Sequence, residues 1–239
     1  MKNYHILDWD SEFFGFKVAQ IIPSISSEQE LKMILSQMRN DDIRLAYGSS
    51  LVADDTLKQP ESFGGLLVDH KTTYVINFKN VNIPENQPPV PVVSYESTMP
   101  SNDMKALAIQ SGNYSRFAVD PRITKEKFIN MYVLWIEMSI KKELAREVLV
   151  IFEDNRIVGM ITLGEKNERG EIGLFAVQEQ YRGKGFGQAL VTAAHRWFIE
   201  KGYAQGQVVT QKANVSACHL YEKCGYSVEK VETFYHFWL

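Results

Sequence analysis

Cysteine is almost missing from this sequence. Cys218 and Cys224 are the only two in 239 residues, and no CxxC or Cys/His cluster accompanies them. That argues against a disulfide framework and against a metal site, and for two reduced thiols of a cytosolic protein. Charge of one sign is lacking too: 26 Lys and Arg stand against 29 Asp and Glu, a formal net charge of −3. No electrostatic case for nucleic acid or an acidic membrane surface follows. No apolar run approaches the ~20 residues of a membrane span. The opening stretch MKNYHILDWD has no apolar signal-peptide core,. A soluble, cytoplasmic chain is expected, with enough apolar residues, 45%, for a sizeable core.

Proline is sparse and unevenly spread. Four of the eight, Pro84, Pro88, Pro89 and Pro91, fall within NVNIPENQPPVPV. Clustered prolines lack amide donors and favour extended backbone, so a linker is expected over residues 81–91. It divides an N-terminal α/β lobe, 1–80, from a second domain, 92–239. In the lobe, FKVAQII and RLAYGSS read as strands and SSEQELKMILSQM as a helix, with Ser27 and Glu30 fitting a capping box,. GGLLVDH and TTYVINF suggest two more strands. After the linker, Ser101 and Thr124 can cap two helices, NDMKALAIQSG and KEKFINMYVLWIEMSIKK. EVLVIFED and RIVGMITLGE then read as a hairpin turning at Asp154-Asn155, and EIGLFAV as a third strand,. A helix ended by Gly202, the strand QGQVVTQ, a helix ended by Gly225 and a pair of closing strands in YSVEKVETFYHFWL complete the order,. Hairpins interrupted by helices predict an α/β (α+β) fold with a mixed, mostly antiparallel sheet flanked by helices.

The stretch YRGKGFGQAL, 181–190, lies between an apolar strand and a helix. Helix N-terminal amides have no intrahelical partner, and glycines let backbone approach an anion closely. A Gly-x-Gly alone is equally a plain helix-start turn. A Walker A loop needs Ser or Thr after Gly-Lys, and Lys184 is followed by Gly185; the dinucleotide fingerprint needs a third glycine that neither register supplies,.

RGKGFG resembles the Arg/Gln-x-x-Gly-x-Gly/Ala signature of the GCN5-related N-acetyltransferase (GNAT) superfamily. NVSACHLYEKCGYSV resembles that family's second segment, with Asn214, Ala217, Leu220, Tyr221, Gly225 and Tyr226 in register; Tyr226 stands where Phe is commoner. The resemblance covers roughly residues 92–239. It implies a GNAT fold that takes acetyl-CoA as cosubstrate and no metal. By resemblance, Arg182, Gly183, Lys184, Gly185, Phe186, Gly187, Asn214 and Tyr221 bind the coenzyme. The strand of Phe175, Ala176 and Val177 runs along its pantetheine arm and offers an amide to the oxyanion. Tyr221 is the implied general acid for the departing thiolate. A free phenol, with a pKa near ~10 against ~8.5 for a thiol, makes that transfer uphill by roughly 2 kcal/mol. Either the site lowers the phenol's pKa or Tyr221 acts mainly as a hydrogen-bond donor. Glu165, Glu168 and Glu171 read as hairpin charges, and His195 and His219 as packing or surface residues, so no general base is assigned.

LDWDSEFFGFKVAQI and SRFAVDPRITKEKFINMYVLWIE look like the dTDP-4-amino-4,6-dideoxygalactose (dTDP-fucosamine) N-acetyltransferases of bacterial surface-polysaccharide synthesis. The acceptor implied is a nucleotide-linked aminosugar. Arg116 is the candidate phosphate partner, and Tyr114, Phe117, Tyr132 and Trp135 offer flat faces to base or sugar; Tyr132 and Trp135 also fit as plain core positions of a helix. Asp10, Phe13, Phe14 and Gly15 read as packing around a glycine turn. The expected partner is that small molecule, with neither nucleic acid nor membrane, and a homodimer is a candidate assembly. A GNAT acting on a peptide or small amine, or a non-catalytic acyl-CoA sensor, would share the coenzyme motifs; retention of Tyr221 speaks against the sensor.

Overall fold

The computed structural model describes residues 3–22, 27–51, 60–80 and 90–239. In chain order the N-terminal half holds β1 (Tyr4–Ile6), α1 (Asp8–Phe14), β2 (Lys17–Ile21), α2 (Glu28–Asn40), β3 (Ile43–Leu51), β4 (Gly65–Asn77), β5 (Val93–Ser94), α3 (Asn102–Ser111) and α4 (Arg116–Val119). Then come α5 (Lys125–Ile140), β6 (Glu147–Glu153), β7 (Arg156–Lys166), β8 (Arg169–Val177), α6 (Phe186–Glu200), β9 (Gln205–Gln211), α7 (Val215–Lys223) and β10 (Ser227–Trp238).

The chain forms two compact units, neither continuous in sequence. The first comprises Met1–Lys71, Ser115–Lys127 and Lys230–Leu239; the second comprises Thr72–Tyr114 and Phe128–Glu229. This differs from a division at a proline linker. Strand pairing decides it, because β10 runs antiparallel to β3 from Glu232↔Leu51 to Trp238↔Leu45 and so carries the C-terminus into the first unit. Residues 81–89 of the expected linker lie outside the described residues.

In the first unit the strand order is β1-β2-β3-β10. β1 and β2 are antiparallel, and β2 and β3 parallel. Leu31, Ile34, Leu35 and Met38 of α2 recur at helical spacing, and all four pack into a core with Ala19, Ile21, Ile43, Ala46 and Phe237,. Each fully buried side chain of that kind contributes about 1.5–3 kcal/mol. Ser27 caps α2 as expected, its hydroxyl accepting from the Glu30 amide at 3.2 Å.

In the second unit the order is β4-β9-β8-β7-β6-β5. β5 to β8 form an antiparallel meander, and β9 lies parallel to β8. One face carries Val148, Val150, Met160 and Ala176 against Met104, Leu107 and Ala108 of α3 and Ile136 and Ile140 of α5. The other carries Leu149, Ile151, Val158 and Ile161 against Ala189, Leu190, Ala194 and Phe198 of α6. Covering on both faces explains why β7 is buried without alternation from Ile157 to Gly164,. The Asp154-Asn155 turn has both residues at positive φ, 48° and 59°, as a tight hairpin requires,.

Two local expectations are corrected, and one segment is added. GGLLVDH and TTYVINF are one 13-residue strand, β4, since the polar His70-Lys71 step introduces no turn. The closing pair is likewise the single 12-residue strand β10, which contains no glycine, no proline and no positive φ to reverse it. DWDSEFF is a short helix, α1, closed by Gly15 at φ 78°.

Candidate active site

The site begins where two parallel strands part. β8 pairs with β9 only through Gly170↔Gly206, Glu171↔Gln207 and Ile172↔Val208. Beyond Ile172, β8 keeps its antiparallel partner β7 through Phe175↔Ile161, Ala176↔Met160 and Val177↔Gly159. The peptide groups on its other side need different company. The Gln178 amide donates to the Val158 carbonyl at 2.8 Å, towards β7, so strand alternation turns the peptide groups of Phe175 and Val177 the opposite way,. The Val177 carbonyl there accepts from Gln110 Nε2 at 2.9 Å and from Arg182 Nε at 3.2 Å. Both partners are supplied by side chains, because β9 no longer reaches.

The turn follows at once. Gly183 has φ 75° and Gly185 φ 87°. Both lie in the left-handed region, which costs other residues about 1–2 kcal/mol each. Gly185 is the N-cap of α6, with no side-chain cap, and its carbonyl takes the Ala189 amide at 2.9 Å. The amides of Phe186, Gly187 and Gln188 therefore precede the first intrahelical bond and lack an intrahelical partner. At Gly187 the constraint is space: a Cβ would lie 3.1 Å from Leu220 Cδ2 and 3.4 Å from Phe175 Cζ.

These elements border a cavity of about 390 Å³, within the usual range for small-molecule sites. Its floor is Phe175, Ala176 and Val177, and one side is Arg182, Gly183, Gly185, Gly187 and Gln188. Asn214, Ser216, Ala217, Leu220 and Lys223 of α7 and its cap form the opposite side. Gln110, Ser111, Asn113 and Tyr114 close the rest. The lining holds two cations, Arg182 and Lys223, and no carboxylate. Glycine backbone, open amides and net positive charge together fit a pyrophosphate-bearing ligand. Among the described residues no group of His, Cys, Asp and Glu could hold a metal, and no helix is long and apolar enough to cross a membrane.

The sequence-assigned residues divide accordingly. Phe175, Ala176, Val177, Arg182, Gly183, Gly185, Gly187, Asn214 and Tyr114 border the cavity. Lys184 and Phe186 do not: the Lys184 ammonium lies over the Tyr181 ring at 5.1 Å, and Phe186 is buried beside that same ring. Asn214 also caps α7, its Oδ1 accepting from the Ala217 amide at 3.3 Å. Tyr132 is buried between Phe128 and Trp135, with centroids 5.0 and 4.9 Å away, and neither Tyr132 nor Trp135 borders the cavity. Arg116 and Phe117 belong to the first unit.

Tyr221 is buried on α7 with ring neighbours Tyr74, Phe175 and Tyr226 about 6 Å away. Burial, reinforced by Cys224 and Cys218, pushes its phenol upward in pKa. Of the two options for this residue, that direction favours the hydrogen-bond donor. Tyr221 does not border the cavity, although Leu220 and Ala217 of the same helix do. The carboxylates Glu165 and Glu171 are engaged elsewhere: Glu165 with Arg146 at 2.8 Å and Tyr203 at 2.7 Å, Glu171 with Gln207 at 3.2 Å. His195 is a core residue and His219 an exposed one. Gln110 was missed from sequence, since nothing local ties an α3 glutamine to a carbonyl 67 residues later.

The sequence profile of the acetyltransferase (GNAT) family matches residues 115–226. The chain is 33% identical over 84 residues to a streptothricin acetyltransferase of Escherichia coli, covering 35% of this chain and 48% of that protein. It is 30% identical over 116 residues to streptothricin acetyltransferase A of Bacillus subtilis, covering 46% of this chain and 67% of that one. It therefore spans about half to two thirds of the length of these curated relatives. A GCN5-related N-acetyltransferase from Sphaerobacter thermophilus shares the fold at TM-score 0.64 and 14% identity, over 98% of this chain and 75% of that one. The fold and the site thus define an acyl-transferase scaffold of the GNAT type. The chain belongs to the GNAT acetyltransferase family, whose members use acetyl-CoA.

Proposed function

We propose that this protein transfers the acetyl group of acetyl-CoA to the amine of a nucleotide-linked aminosugar, a dTDP-4-amino-4,6-dideoxyhexose, by direct attack in a ternary complex. The observation that carries the acetyl-transfer reading is the parting of β8 and β9 beside an uncapped, glycine-built helix start. Open amides 186–188 and Arg182 hold the pyrophosphate. The outward peptide groups of Phe175 and Val177 align the pantetheine arm, and one of their amides faces the oxyanion that develops on the carbonyl carbon. The amine nitrogen bonds to that carbon as the C–S bond breaks. The thiolate accepts a hydrogen bond from the Tyr221 phenol, and the amine's surplus proton leaves to solvent. Much of the acceleration is proximity, since both reactants lie in one cleft.

The aminosugar acceptor rests on the stretches WDSEFFG and SRF. A second reading, a free amine of an antibiotic, is favoured by the streptothricin acetyltransferases among the relatives. Thiol release from acetyl-CoA, measured against nucleotide aminosugars, streptothricin, peptides and polyamines, decides between them. Turnover with the dTDP-aminosugar alone supports the first reading; turnover with streptothricin alone replaces it. A cytoplasmic homodimer belongs to the same proposal and is checked by sedimentation.

A further inference from the structure

Strand β8 changes phase just before it leaves β9. From Lys166↔Arg169 to Leu163↔Ile172 its pairing with β7 advances residue for residue. It does so again from Ile161↔Phe175 to Gly159↔Val177. In between, Gly173 and Leu174 both stand opposite Thr162, which makes a β-bulge,. Ile172 and Phe175, three apart, pack into one core with Leu163 and Ile161, which a regular strand of period two does not allow,. Ile172 is also the last residue of β8 paired with β9. The bulge therefore stands where the two parallel strands part.

A bulge interrupts the ladder and leaves backbone groups in need of other partners. Here the Leu174 amide donates to Thr162 Oγ1 at 2.8 Å. Thr162 is 3% exposed and is the one polar side chain in IVGMITL, residues 157–163. Its hydroxyl, rather than water, is the acceptor at hand. Gly173 makes room for that hydroxyl. A Cβ at Gly173 would lie 2.7 Å from Thr162 Oγ1, closer than real Cβ contacts come. Gly173 is not among the glycines at positive φ, so the position requires space and not dihedral freedom. Hydroxyl and glycine form one clamp on the bulge.

We propose that Thr162 is a positioning residue for acetyl transfer: its hydroxyl pins the bulge at Gly173-Leu174, and the bulge sets the direction in which the peptide groups of Phe175 and Val177 face. Thr162 does not border the cavity and acts through β8. The role rests on the reading above, in which one of these amides faces the oxyanion. Such a donor works only within hydrogen-bond distance of the developing charge, and a misplacement of about 1 Å costs on the order of a hundredfold in rate. The glycine turn is built from its own dihedrals and keeps its hold on the diphosphate. The clamp therefore governs kcat more than coenzyme affinity.

The test reads three quantities on the full chain: thiol release with the amine that gives turnover in the panel above, coenzyme A affinity by calorimetry, and amide hydrogen exchange. Thr162→Val keeps the shape and removes the hydroxyl, whereas Thr162→Ser keeps the hydroxyl. Thr162→Val should lower kcat about ten- to a hundredfold while coenzyme A affinity stays within about threefold of wild type, and Thr162→Ser should recover most of the loss. The Leu174 amide should lose protection in Thr162→Val and keep it in Thr162→Ser. Gly173→Ala should behave like Thr162→Val. It should add nothing in a Thr162→Ala background, where the carbonyl oxygen and Cβ of residue 162 lie 3.8 and 4.0 Å from the added methyl,. Wild-type kcat in a folded Thr162→Val whose Leu174 amide has lost protection overturns the positioning role. An equal fall in Thr162→Ser and Thr162→Val overturns the part given to the hydroxyl. If Thr162→Val fails to fold, Thr162→Ser and Gly173→Ala carry the test: a fall in the second alone supports the clamp, and wild-type kcat in both overturns it. No thiol release from the wild type with any amine, alongside coenzyme A binding, overturns the acetyl-transfer reading and the positioning role with it, and the Leu174 exchange then decides the clamp by itself.

Discussion

The glycine-turn site of the second unit and the Arg116 cluster of the first are assembled in opposite ways. The former draws chiefly on two short stretches, 175–188 and 214–223, and offers mostly main-chain amides. The latter draws on residues 10, 47, 116–120 and 234–238 and offers only side chains. The buried histidines repeat the contrast. His195 in the second unit sits against Phe78 and Tyr226, with ring centroids 5.5 and 5.3 Å away, and burial alone lowers its pKa to about 4. His236 in the first unit is lowered by burial too, but Asp120 pulls the other way. A backbone site needs only that glycine be permitted at a few positions. A side-chain site needs distant strands to be in register, and its charges then regulate one another.

Separate lesions sharpen this contrast. The largest effect is expected from Tyr221→Phe, which keeps the buried ring and removes the only proton it can donate. Turnover should fall by about 10²–10⁴-fold with coenzyme affinity near wild type; a drop below about threefold under conditions where chemistry limits the rate returns Tyr221 to packing. Gly185→Val forces a β-branched residue to φ 87°. At least ~1–2 kcal/mol of strain, together with Cβ at the anion's approach, should cost about tenfold or more in coenzyme affinity by calorimetry.

Proton linkage separates the two histidines. His195 takes up a proton readily in the unfolded chain, with a pKa near ~6.5, but in the fold only near pH 4. The unfolded state therefore binds more protons between those values, and stability falls as pH is lowered through that window, by up to roughly 3 kcal/mol. His195→Gln should flatten this slope in urea titrations at pH 6.5 and 4.5; an unchanged slope would assign it to other groups. Asp120→Asn should destabilise the first unit by about 1–3 kcal/mol, the cost of a buried polar group left mispaired. The smallest effect is expected for Gln110→Ala. It removes one of two donors to the Val177 carbonyl, worth about 0.5–1.5 kcal/mol, and should appear as a severalfold fall in kcat/KM for acetyl-CoA.

The sequence by itself determined what depends on neighbours in the chain. The hairpin at Asp154-Asn155, the caps at Ser27, Ser101 and Thr124 and the glycine turn at 183–187 follow from residue types a few positions apart. Backbone dihedrals and first-turn amides obey local rules. The same rules could not show that Tyr132 packs inside while Tyr114 borders the cavity, since both suit an aromatic wall. Nor could they show that β10 stays unbroken and brings His236 to Asp120 and Phe234 to Arg116 across more than 110 residues. Those outcomes hang on register between strands far apart in sequence. A one-residue slip would turn every side chain to the opposite face, and only the packed cores on both sides of each pairing choose the register.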